Sequence, residues 1–258
     1  MTENPEPSGQ YVQSLARGLS VIRAFGSERP SMTLSDIADV TGLTRATARR
    51  FLLTLIELGY VRTDGRLFLL TPRVLDLGFS YLSGLALPEI VGPHLEQLSR
   101  RLNESASASV LDDGDIVYIA RVPARRIMTV SITVGTRFPA HATSMGRVLL
   151  AGLADDDLER YLNTFQRAAL TGKTITDASA LRDTVARVRD QGWALVDQEL
   201  EQGLRSIAAP LRGNGGRVVA AINVSTSTST ASIERIRDEY RPVLLDAAAE
   251  ISDTLTRY

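Results

Sequence analysis

Thr33-Leu34-Ser35-Asp36-Ile37-Ala38-Asp39-Val40-Thr41-Gly42-Leu43-Thr44-Arg45-Ala46-Thr47-Ala48-Arg49-Arg50-Phe51-Leu52-Leu53-Thr54-Leu55-Ile56-Glu57-Leu58 spells two short helices joined by a turn. The Thr33 hydroxyl can cap an orphan backbone N–H, and Asp36, three residues on, can reach back to close a capping box. Leu34, Ile37, Ala38 and Val40 give the first helix a short apolar face. Gly42 stands where the chain must reverse, because glycine takes positive φ without steric cost. Leu43 plugs the turn and Thr44 caps the second helix.

On a 3.6-residue wheel Ala48, Phe51, Leu52, Leu55 and Gly59 share one side, while Ala46, Arg49, Arg50 and Glu57 point away from it. An arginine-bearing second helix after a tight turn is the pattern of a DNA-binding helix-turn-helix. Thr44, Arg45, Thr47 and Arg49 occupy the first turns, the part of such a helix that meets base edges in the major groove. Arg45 and Arg49 are the expected base readers and Arg50 a phosphate contact; Arg17 and Thr33 complete the expected DNA-facing set. Strand-like runs at 60–63 and 66–70 flank Asp64-Gly65, a dipeptide that favours a tight type I′ hairpin. This would be a wing presenting Arg62 and Arg66 to phosphate. Helical hairpins with solvated arginines occur in many folds, but cap, turn, basic helix and hairpin in this order favour the nucleic-acid reading. A winged head used against another protein is the rival that mutation of Arg45 and Arg49 separates.

Charge supports this locally. Between Tyr11 and Arg73 nine arginines face five acidic residues, in a chain whose formal net charge is −1. A basic head on a slightly acidic body suits a protein that grips DNA with one part. The 258 residues leave room for a second, larger core. Cysteine is absent, which excludes disulfides, thiolate metal sites and thiol nucleophiles, and two histidines make a structural zinc site improbable. No apolar run approaches the roughly 20 residues of a membrane span, and the acidic, Pro-containing start is unlike a signal peptide. A cytoplasmic protein with no cofactor, no metal, no catalytic residue and no membrane partner is expected.

Residues 1–10 read as a disordered lead-in, 11–72 as the DNA-binding domain, 73–87 as a linker helix and 88–258 as a second domain. The linker rests on Leu75, Leu77, Gly78, Tyr81, Leu82 and Leu85 between Pro72 and Pro88; the same run would also serve as the first helix of the second core. Further on, 90–102 is helical by its leucine spacing. Runs at 106–111 and 116–122 flank the turn Asp112-Asp113-Gly114-Asp115, and 127–134 alternates as a further strand. Helices are expected at 144–153, 155–162 and 180–191, the last stopped by Gly192. Strands are expected at 193–197, 206–211 and 218–226, then a closing helix at 232–255. Strand pairs with short turns imply an α+β fold, an antiparallel sheet flanked by helices. The acidic turn lacks the ligand spacing of an EF-hand and reads as a hairpin turn. No G-x-S-x-G elbow, P-loop, G-x-G-x-x-G or H-E-x-x-H is present, so an enzyme acting on small acids would need a carboxylate site with no motif.

From Tyr11 onward the chain resembles the IclR family of bacterial transcriptional regulators. The resemblance lies in Ser14-Leu15-Ala16-Arg17-Gly18-Leu19, the helix-turn-helix, Leu58-Gly59-Tyr60-Val61, His141-Ala142-Thr143-Ser144-Met145-Gly146-Arg147, the stretch from Glu199 to Pro210, and Val218 to Ser225. Residues 11–19 and 127–147 are most similar to the branch controlling aromatic-acid breakdown, the protocatechuate and β-ketoadipate regulators called PcaR, PcaU and PobR. Arg147 departs from the lysine usual after this glycine. The resemblance implies a winged helix followed by a GAF/PAS-like effector-binding domain, and a dimer or tetramer on a palindromic double-stranded operator. RNA polymerase becomes a partner if the protein activates. It also implies a small carboxylic-acid effector near Ser144, Met145, Gly146, Ser206, Asn223 and Ser225. Such an acid needs convergent donors in an apolar cavity, which short hydroxyls and a helix N-terminus can supply. Arg205 could clamp a carboxylate, or could equally pair Glu199 or Glu201. His141 is expected to be structural.

Overall fold

The computed structural model describes residues 10–26, 28–78, 87–124 and 132–256. The expected lead-in at 1–10 therefore falls almost wholly outside the described residues. The chain divides into two compact units, residues 1–84 and 85–258, and the fold is α+β.

In the first unit α1 (Gln13–Arg23), α2 (Leu34–Thr41) and α3 (Arg45–Glu57) pack around Val21, Ile37, Ala38, Ala48, Leu52 and Leu55. Burying each large aliphatic side chain contributes about 1.5–3 kcal/mol, and this is what holds so small a unit together. Thr33 closes the capping box with Asp36 as the spacing predicts, and Gly42 takes the left-handed conformation with φ 66°. Strand β1 (Ser31–Met32), too short to show in the sequence, joins β2 (Val61–Thr63) and β3 (Phe68–Leu70) in the order β1-β3-β2.

The hairpin differs from expectation in its turn. Thr63 pairs Phe68, which leaves Asp64 to Leu67 as a four-residue loop rather than a two-residue one. Asp64 Oδ1 accepts from the backbone N–H groups of Arg66 (2.9 Å) and Leu67 (2.7 Å). That local bonding competes with the strand ladder, so Arg66 sits in the loop and not on a strand.

After a short turn at Pro72–Val74, residues 75–78 are helical, and the remainder of the expected linker, 79–86, lies outside the described residues. Pro88 was expected to follow a helix end. It lies instead in the first turn of α4 (Leu87–Leu102), a position whose missing N–H costs nothing.

The second unit is built on a six-stranded antiparallel sheet, ordered β6-β5-β4-β9-β8-β7. Its strands are β4 (Ser105–Asp112), β5 (Asp115–Val122), β6 (Arg137–Pro139), β7 (Ala194–Asp197), β8 (Leu204–Arg212) and β9 (Val218–Ser227). The β4–β5 turn is a tight hairpin, with Asp113 (φ 47°) and Gly114 (φ 87°) both left-handed and Asp112 paired to Asp115. Of the strand expected at 127–134, residues 127–131 lie outside the described residues, and 132–134 are not strand. β6, three residues long, was not foreseen.

Helix α4 and the closing α8 (Arg241–Leu255) cover one sheet face. On the other lies α5 (Ser144–Ala151), backed by α6 (Asp155–Thr164) and α7 (Ala178–Gln191), around Met145, Leu149, Leu150, Leu181 and Val185. A π-helical segment, Ile236–Tyr240, runs directly into α8, whose second residue is Pro242. Proline has no N–H to give the ladder, and a widened turn absorbs the mismatch.

A basic winged head and a candidate ligand cavity

In the first unit, Arg17, Arg45, Arg49, Arg50, Arg62 and Arg66 are all exposed. Among the described residues none of the six is in an ion pair. Arg45 and Arg49 lie in the first turns of α3, both exposed, while Ala48 and Leu52 of the same helix are buried. Thr44 and Thr47 hold each other: the Thr44 Oγ1 accepts from Thr47 N (3.2 Å) and lies 2.9 Å from Thr47 Oγ1. The Thr33 hydroxyl donates to Asp36 Oδ2 at 2.8 Å and accepts from the Asp36 N–H at 3.3 Å. The three threonines thus fix the helix starts, and the arginines are the groups left available to a polyanion.

The second unit holds a cavity of about 290 Å³ on the sheet face shared with α5. Tyr118 and Arg121 of β5, Val196 of β7, Leu204 and Ser206 of β8, and Asn223 and Ser225 of β9 line its sheet side. Phe138, Pro139, Ala142 and Thr143 close one wall, Leu170, Leu200 and Glu201 another, and Ile132 also contributes. The Tyr118 and Phe138 rings meet edge to face, 5.9 Å apart at 79°. Burial pushes the Tyr118 hydroxyl up to about 12, against the pull of Arg121, so it stays a neutral donor. Burial also lowers the Arg121 pKa. A half-buried guanidinium in a largely apolar cavity is suited to a small anion.

The expected effector residues separate here. Ser206, Asn223 and Ser225 line the cavity. Ser144 lies behind them, fully buried, its hydroxyl donating to Ser206 Oγ at 2.9 Å. Met145 does not line the cavity; its sulfur accepts from Ser109 Oγ at 3.3 Å. Gly146 does not line it either: a Cβ there would collide with the backbone of Ala140, so the glycine permits close approach of α5 to that turn. Arg205 is not a lining residue. Its Nε donates to Asp197 Oδ1 at 2.6 Å and its Nη1 to the Ala231 carbonyl at 2.9 Å. Neither Glu199 nor Glu201 is its partner. Arg121 is the lining cation that sequence reasoning missed, along with Tyr118 and Phe138.

Next to the cavity, loop 165–176 is tied to the segment after β7. Thr171 Oγ1 donates to the Gln198 carbonyl (2.7 Å), Thr174 Oγ1 to the Glu199 carbonyl (2.6 Å), and Lys173 pairs Asp197 at 2.6 Å. Glu199 is buried against Arg147, accepts from the Ile175 N–H at 3.1 Å, and leaves Arg147 Nε to donate to the His141 carbonyl at 3.2 Å. His141 is 1% exposed with Nε2 3.1 Å from the Ala168 carbonyl, and burial lowers its pKa, the structural role expected of it. In the acidic turn, Arg137 engages Asp112 at 2.6 Å and Asp115 at 3.2 Å. Among the described residues there is no metal-holding group of His, Cys, Asp and Glu.

A family profile described as IclR helix-turn-helix domain matches residues 14–65, and one described as bacterial transcriptional regulator IclR C-terminal matches 79–253. The chain belongs to the IclR family. Its similarity to other IclR proteins runs almost end to end. It is 43% identical to the Pca regulon regulatory protein of Pseudomonas putida, covering 95% of this chain and 84% of that one. It is 35% identical to the p-hydroxybenzoate hydroxylase transcriptional activator of Acinetobacter baylyi, covering 93% and 91%. An IclR homolog from Microbacterium hydrocarbonoxydans, solved in complex with 4-hydroxybenzoate, superposes with a TM-score of 0.82 at 26% identity, over 94% of this chain and 98% of that one. IclR proteins of this kind are transcriptional regulators and not enzymes, and this one is similar to regulators of aromatic-acid breakdown. Among the described residues no helix is long and apolar enough to cross a membrane.

Proposed function

We propose that this regulator binds a palindromic operator as a dimer or tetramer and that a small acid from aromatic catabolism, held in the second unit, sets its occupancy of DNA. In this reading residues 11–72 bind DNA, 73–87 form a linker helix and 88–258 sense the effector. The single observation that carries it is the pairing, in one chain, of a winged helix bearing exposed arginines with a cavity whose described lining holds one arginine and four short polar side chains.

Arg45 and Arg49 read base edges, while Arg50, Arg62, Arg66 and Arg17 meet phosphate. Thr33, Thr44 and Thr47 lie at the same surface and orient the helices. Two recognition helices of one assembly would sit about 34 Å apart, or a multiple of that, to enter successive major grooves. An effector shifts the population only if it binds the two arrangements with different affinity.

The test is binding of the purified protein to its own upstream DNA at two salt concentrations, with and without 4-hydroxybenzoate, protocatechuate and β-ketoadipate. Selective, salt-sensitive binding altered by one acid is the expected result. Selective binding indifferent to all three would discard the aromatic-acid effector, and no selective binding would discard the operator reading. Replacing Arg45 and Arg49 together by Ala should abolish selectivity, since each bidentate base contact contributes about 1–3 kcal/mol.

A further inference from the structure

β5 carries a bulge that decides what the cavity can hold. Neighbouring residues Ala108 and Ser109 of β4 face Ala120 and Tyr118, so Ile119 has no counterpart. In a regular strand Tyr118 and Arg121, three apart, would point to opposite faces. The extra residue reverses the alternation, and both side chains line the cavity.

The register then places Arg121 opposite Ser107 on β4, and Ser107 opposite Asn223 on β9. Two strand spacings, roughly 10 Å, separate the Arg121 and Asn223 backbones, with only a short hydroxymethyl group between. One end of this row is a cation. The other is an amide with an unused acceptor: Asn223 is 4% exposed, its Nδ2 donates to Ser225 Oγ at 3.0 Å, and its Oδ1 has no hydrogen-bond partner. Buried polar atoms in folded proteins are almost always paired, and an exception facing a cavity points to a ligand that completes it.

On the effector-sensing reading above, we infer that the cavity selects an aromatic hydroxy acid over a dicarboxylic acid, with the carboxylate at Arg121 and the hydroxyl donating to Asn223 Oδ1. A dicarboxylic acid at neutral pH brings two acceptor-only groups and no donor. Among the described lining residues there is one arginine and one acid, Glu201. A second carboxylate would find no second cation among these described residues and would face a like charge at Glu201. The hydroxyl is also the one substituent that fits either orientation of the amide, accepting from Nδ2 if Oδ1 is turned to Ser225. Between the two ends, the Tyr118 and Phe138 rings with Leu204 give a ring-shaped ligand its apolar wall. The Tyr118 hydroxyl makes no hydrogen bond among the described residues and lies beside Arg121 as a further donor to the carboxylate.

Calorimetric titration of the full-length protein with 4-hydroxybenzoate, 3-hydroxybenzoate, benzoate and adipate tests this. At least one hydroxybenzoate should bind about tenfold or more tightly than benzoate, and adipate should be weaker still. In Asn223→Ala, benzoate binding should persist while the hydroxyl preference falls to within about threefold. In Arg121→Gln, all the benzoates should weaken together. Benzoate matching both hydroxybenzoates, or adipate exceeding them, would overturn the inference in the wild-type protein without recourse to a variant, and would leave the effector reading standing. Binding of none of the four would overturn both, and the DNA-binding reading would then rest on the operator experiment alone.

Discussion

The buried pair of Arg147 and Glu199 shows how one side chain can hold three segments at once. Arg147 is 3% exposed, joins Glu199 after β7 and caps the His141 carbonyl, while Glu199 takes the Ile175 N–H. Removing one partner strands the other charge away from water. Arg147→Ala should therefore destabilise the second unit by about 3–5 kcal/mol, read as a lower urea midpoint. Arg147→Lys keeps the charge but gives up the planar fork that reaches both partners, and should cost about 1–2 kcal/mol. A loss for Lys as large as that for Ala would show that the geometry of the fork, not the charge, holds the segments. His141 adds an acid-side sensitivity. Its folded pKa is lowered by burial, so its contribution is present above the unfolded value of 6.5 and fades as pH falls through the lower folded value. These partners were not readable in the chain, because 52 residues separate Arg147 from Glu199 and no local pattern couples them.

At the scale of elements, caps and periodicity were legible and strand irregularities were not. Thr33, Asp36, Gly42 and Thr44 act within a few residues of themselves, so their chemistry announces the helix-turn-helix directly. Thr33→Ala should cost the first unit about 1 kcal/mol, seen in thermal melts, by opening the capping box. The Asp64 loop was misread because an aspartate beside glycine serves equally a primed turn or a side-chain-closed loop. Arg121 was missed for a related reason: strict alternation assigns it to the wrong face, and the bulge that corrects this depends on the partner strand. Helix α5 was found, but its N-terminal residues were given to the ligand when most serve packing. Gly146→Ala should drive α5 off the 140–142 turn and lower the melting temperature by several degrees, with a matching loss of effector binding.

For the whole molecule, two separate cores predict two separable responses. A saturating effector should stabilise the second unit by about 2.7 kcal/mol at a hundred times its Kd and leave the first unit's transition in place. A calorimetric scan with one transition, moved as a whole, would contradict this. Acid should act on the second unit as well. Burial raises the Asp197 carboxyl, but Lys173, Arg205 and Gln198 outweigh it and hold it at about 2. Its stabilisation is therefore complete above the ordinary value of 3.8 and is lost as pH falls toward about 2. Asp197→Asn should flatten the stability profile across that window. The extra residue in β5 carries one last implication, for how such a sensor changes over evolutionary time. Substitution can swap a reader for another at the same address, whereas loss of Ile119 would leave Tyr118 and Arg121 two apart on a regular strand, both still facing the cavity. A single-codon deletion at the bulge could thus remove the irregularity while leaving every reading residue on its own face.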